Sequence, residues 1–178
     1  MFNFFRKFNS KNAQTPKQSS VRNYAKYESD EKYKKMITDF PLSDLDMIVS
    51  YENEPYVLSE DELQYMLTIC NDTEKTGILY FAIATCYHNG TRGVKESHTL
   101  GMDYDKKAML AGNPKASWRY GIHMTMDAGE GLKSGTIDKK EAEFNYTCGI
   151  GYIVDSYRMG FEPAKETLET FMEGRNEF

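Results

Sequence analysis

Apolar residues along this chain recur three and four positions apart more often than they alternate, which is the spacing of one face of an α-helix. In 29–39, Tyr33, Met36 and Ile37 fall at i, i+3 and i+4, and Pro41 predicts an end near Phe40. Ser43 stands as an N-cap ahead of Leu45, Met47, Ile48 and Val49 and predicts a second short helix. Residues 51–57 hold Pro55 and read as a loop. Ser59 with Glu62 forms a capping box, and Leu63, Met66, Leu67 and Cys70 mark the buried stripe of a helix ending near Asn71. From Thr76 onward the pattern is helical throughout. Its glycine-containing breaks lie at 89–94 and 128–135, with shorter ones at Gly112 and Gly160, and a last helix spans 163–173. No stretch alternates for long enough to predict a sheet. The expected class is all-α.

The second half is also self-similar. The run Ile83-Ala84-Thr85-Cys86-Tyr87-His88-Asn89-Gly90 leads through Gly93 to Asp105 and Ala108. A comparable run starts at Tyr120-Gly121-Ile122-His123-Met124 and leads through Gly129 and Gly131 to Asp138 and Ala142. A third copy starts at Cys148-Gly149-Ile150-Gly151-Tyr152. The step from Gly93 to Gly131 is about 38 residues, within the range of stacked structural units. A small residue in each copy (Ala84, Gly121, Gly149) lets two helices approach closely. Tyr87, Met124 and Tyr152, three positions on, share that face. Glycine turns supply the positive φ that ends a first helix, Asp138 caps a second, and Ala108 or Ala142 allows close packing there.

Residues 108–121 and 129–142 carry most of a pattern that resembles the Sel1-like repeat, a relative of the TPR, over about residues 76–165. The likeness departs at Gly90-Thr91-Arg92-Gly93, at an insertion over 95–102, and in a third unit without the glycine turn. The resemblance implies an α/α helical-repeat (Sel1-like/TPR-like) solenoid from about residue 76, preceded by an irregular helical N-terminal part. It also implies a protein-binding role, and use in bacterial immunity proteins that neutralise a toxin or effector.

Charge refines this picture. The net charge is −5, of which the acid-free first 26 residues contribute +6, leaving −11 for the remainder. So acidic a body disfavours nucleic acid and favours a basic protein partner. Residues 1–26 read as a basic, flexible arm and 27–178 as one helical domain. The arm's Phe2, Phe4, Phe5 and Phe8 offer a weaker reading as a membrane-surface contact. With no apolar run long enough to span a bilayer, no secretory signal pattern and three cysteines lacking CxxC spacing, the expected setting is cytoplasmic, with buried free thiols.

Little in the sequence predicts catalysis. Cys86 and His88 are two apart on a helix and so point about 200° from one another, and His98 and His123 are the only other histidines. No metal, cofactor or catalytic residue is expected, and the histidines read as packed or solvated. Cys86 or Cys148 with a remote histidine, or one of the acid pairs, leaves a small enzyme as the remote alternative. The glycine turns lack the Gly-Lys-Ser/Thr sequel of a phosphate loop. Aromatic residues on the first helices of the pairs are better candidates, because Trp, Tyr and Arg dominate interfaces. Tyr80, Trp118, Arg119, His123, Asp127 and Tyr146 are the expected partner-binding residues. The expected function is a protein-interaction module, an immunity protein in its sharper form, with a scaffold or regulatory adaptor as the alternative.

Overall fold

The computed structural model describes residues 22–51 and 57–174, and among them every regular element is an α-helix. In order these are α1 (Ala25–Glu28), α2 (Glu31–Asp39), α3 (Leu42–Tyr51), α4 (Glu60–Ile69), α5 (Thr73–Asn89), α6 (His98–Leu110), α7 (Pro114–Ser134), α8 (Lys139–Arg158) and α9 (Pro163–Gly174). No helix among the described residues is long and apolar enough to cross a membrane. Phe2–Phe8 lie outside the described residues.

Local chemistry sets most helix ends. The capping box forms: Ser59 Oγ accepts from Glu62 N at 3.3 Å, and the Glu62 carboxylate accepts from Ser59 N at 2.7 Å. Asp72 accepts from Lys75 N, so α5 starts at Thr73, three residues before the expected 76. Ser43 is not a cap. The Pro41 carbonyl accepts from the N–H groups of Asp44 and Leu45, which opens α3 at Leu42 and leaves Ser43 inside the first turn.

A larger correction concerns the second glycine turn. Gly129 and Gly131 remain within α7, and the chain turns at Gly135, whose φ of +72° ends the helix. Asp138 then caps α8, accepting from Glu141 N at 2.8 Å. Helix α8 runs unbroken through 148–152, where the sequence pattern suggests a new unit.

Packing differs between the two halves. Helices α2 to α5 enclose Met36, Leu45, Val49, Leu63, Met66, Leu79 and Ile83, none more than 1% exposed. Arg22 and Tyr24, inside the segment expected to be a free arm, engage this half. Arg22 pairs with Glu60 at 2.6 Å, and Tyr24 packs on the core.

From α5 onward each helix packs on the next. Helices α7 and α8 are antiparallel and meet through small residues. A Cβ on Gly121 would lie 2.6 Å from the Gly149 carbonyl oxygen, and one on Gly149 would lie 2.7 Å from that of Gly121. Two hydroxyls stitch the same seam: Ser117 Oγ donates to the Tyr152 carbonyl at 2.9 Å and Ser156 Oγ to the Pro114 carbonyl at 2.7 Å. Trp118 holds α9, donating from Nε1 to Thr167 at 2.8 Å with its ring edge-on to Phe161.

Candidate functional site

Three stripes, mostly polar, converge where α5, α6 and α7 pack. Helix α5 contributes Phe81, Thr85 and His88; α6 contributes His98, Gly101 and Asp105; α7 contributes Arg119, His123 and Asp127. Each set is spaced three or four residues apart and so lies along one helical face.

At its base Asp105 is fully buried and doubly held. Arg119 reaches it with Nε at 2.9 and 3.0 Å and Nη2 at 2.6 Å, and His88 Nε2 lies 2.8 Å from Oδ2. The same guanidinium donates to Thr85 Oγ1 at 2.8 Å and to the Phe81 carbonyl at 3.2 Å, and it covers the Phe81 ring at 3.9 Å. Arg119 thereby ties α5, α6 and α7 together with charge-assisted bonds.

Above this base lie all three histidines of the chain. The His88 and His123 rings stack at 4.9 Å and 12°, and His98 meets His123 edge-on at 5.0 Å. One ring nitrogen from each lies within 4.8 Å of the others. At the exposed rim His98 Nε2 approaches Asp127 Oδ2 at 3.4 Å. Gly101 makes room below, since a Cβ there would fall 2.6 Å from the His88 ring. Burial, then the neighbouring His88 and His98, push His123 below the ordinary imidazole range, against the opposing pull of Asp105 and Asp127.

The sequence places these histidines apart, as packed or solvated residues, whereas the fold brings them into one cluster. The signal lay in the i, i+4, i+8 run of Arg119, His123 and Asp127, which only a partner stripe on α6 completes. Cys86 takes no part: it is buried, with its thiol on the Ala82 carbonyl at 3.2 Å. Cys148 is half-buried, and burial pushes its thiol up, away from nucleophilic character.

Of the expected contact residues, Arg119, His123 and Asp127 come together. Tyr80, Trp118 and Tyr146 do not join them. Tyr80 packs against Tyr104, Trp118 secures α9, and Tyr146 meets Phe171 edge-on. A separate cleft of about 460 Å³ lies among Arg22, Tyr27, Ser59, Asp61 and Gly93. Comparison with family models, curated proteins and solved structures finds no match to this chain.

Proposed function

We propose that the chain is a protein-binding module of the Sel1-like kind, and in its sharper form an immunity protein that covers the active surface of a basic toxin or effector. The observation that carries this reading is the apolar surface left on α7 and α8. Met126 on α7 is 53% and Phe144 on α8 42% exposed, at the same level of the α7/α8 pair. Methionine and aromatic side chains are enriched at interfaces. The chain beyond residue 26 is net acidic, which complements a basic partner and accelerates its approach. The helix-after-helix packing of α5 to α9 suits a short solenoid. Free cysteines suit a cytoplasmic setting.

Trp118 and Arg119 now read as residues that hold the fold, so removing them would test stability rather than binding. The informative variant is Met126→Asp with Phe144→Asp. Tagged protein in its native extract should retain one stoichiometric basic partner, identified by mass spectrometry, and the variant should lose it while its helical circular dichroism is unchanged. A well-folded, monomeric protein that retains no partner would overturn the reading.

A further inference from the structure

We infer that His88, His98 and His123 together bind one divalent late transition-metal ion of the zinc class. The inference stands on geometry independent of the protein-binding reading. Imidazole suits zinc, copper and nickel, and three imidazoles with an open fourth position form a familiar donor set for zinc. Here the three come from three successive helices and have their ring nitrogens within 4.8 Å of one another. Around a tetrahedral ion with bonds of ~2.0–2.1 Å, such nitrogens lie about 3.3 Å apart. Closing the difference requires the His123 ring to rotate out of its 12° stack on His88, because imidazole lone pairs lie in the ring plane. It also requires the half-exposed His98 to exchange its 3.4 Å contact with Asp127 for the ion.

Three features distinguish the cluster from histidines that merely pack. The first is the Asp105 carboxylate on His88 Nε2. A carboxylate behind an imidazole fixes its tautomer, so Nε2 carries the proton and Nδ1 keeps the lone pair for a metal. That carboxylate is itself immobilised by Arg119 and has no exposed surface, so His88 is oriented before any ion arrives.

The second is His123. Its ring is half-buried between two other imidazoles, and among the described residues no group hydrogen-bonds it. A polar ring so placed gains a partner when an ion binds.

The third is Gly101, whose missing side chain leaves the space in which the His88 ring lies. His98 and Asp127 are both half-exposed at the rim, so water can reach an ion there as a fourth ligand.

The test uses the full, tag-free chain after chelator treatment, titrated with zinc chloride by calorimetry and with cobalt chloride by absorbance. One equivalent should bind, and zinc should raise the melting temperature. His98→Ala, at an exposed position that leaves the core intact, should weaken binding by at least about 100-fold and abolish the thermal shift; even outer-layer partners of a metal site contribute about 10–100-fold. His123→Asn should do the same, with circular dichroism reporting that both variants are folded. The absence of saturable binding, an affinity unchanged in folded His98→Ala, or a cobalt complex showing thiolate charge transfer would each overturn the inference.

Discussion

Gly149 and Gly151 are two residues apart on α8, and the same substitution at each should move stability in opposite directions. Both are helical, so replacing glycine with alanine removes the backbone-entropy cost of glycine, a gain of about 0.5–1 kcal/mol at either site. At Gly151 the new methyl group meets nothing within 4 Å, so the gain stands alone. At Gly149 it would lie 2.7 Å from the Gly121 carbonyl oxygen, 2.7 Å from Thr125 Cγ2 and 3.1 Å from Thr125 N. Two of these atoms belong to the backbone of α7, so relief requires moving the helix. Overpacking of this kind costs about 1–3 kcal/mol, and a backbone clash belongs in the upper half of that range.

The net expectation for Gly149→Ala is therefore a loss of about 1–2.5 kcal/mol, against a gain of about 0.5–1 kcal/mol for Gly151→Ala. In a domain of this size each kcal/mol moves the melting temperature by about 2–4 °C. The two variants should lie on either side of the parent in thermal melts and in urea midpoints followed by far-ultraviolet circular dichroism. If Gly149→Ala matched or exceeded the parent, the α7/α8 contact would not be as close as described.

Other substitutions probe the remaining interactions. Burial pushes the Glu62 carboxyl up, but the Tyr33 hydroxyl, the backbone and side chain of Ser59, and Lys32 outweigh it and hold it below its ordinary value. Its contribution is thus full above the unfolded carboxyl value and is lost as pH falls through the lowered folded value. Urea midpoints of parent and Glu62→Gln should differ at neutral pH and converge in acid. Arg119→Ala strands the buried Asp105 carboxylate and should cost about 3–5 kcal/mol in chemical denaturation; the double variant Arg119→Met with Asp105→Leu should recover part of that loss. Trp118→Phe keeps a ring against Phe161 but loses the donor to Thr167, so α9 should become more open to hydrogen exchange by about 0.5–1.5 kcal/mol.

Local signals in the sequence located the elements well where one residue acts on its own neighbours. Ser59 with Glu62, Asp138, and the glycines at 90, 112 and 160 need only a few adjacent atoms to act, and the helices begin or end beside them. Tyr33, Met36 and Ile37 are likewise buried as their spacing requires. Gly121 and Gly149 were legible as points of close approach, although not as partners of each other. The glycines at 129 and 131 misled because a glycine permits a turn without imposing one. Thr136 N donates to the Gly131 carbonyl and Gly135 takes the left-handed conformation, which puts the helix end after them. The histidine cluster was less accessible still, since it depends on how three helices are rotated about their axes. Likewise, nothing local tells an inward Arg119, bound to a carboxylate fourteen residues away, from one facing solvent.

The Arg119 network bears on how the chain can be assembled and cut. Synthesis proceeds from the N-terminus, so α5 and α6 emerge before the residue that neutralises Asp105. Until α7 arrives, the inward face of that hairpin presents the Asp105 carboxylate, His88 and the Thr85 hydroxyl with their cation missing. Such a face is more stable wetted by solvent than closed. Docking of α7 supplies the cation that lets water leave this face. A boundary drawn between α6 and α7 would divide a single ion-paired group and leave the buried Asp105 without its cation.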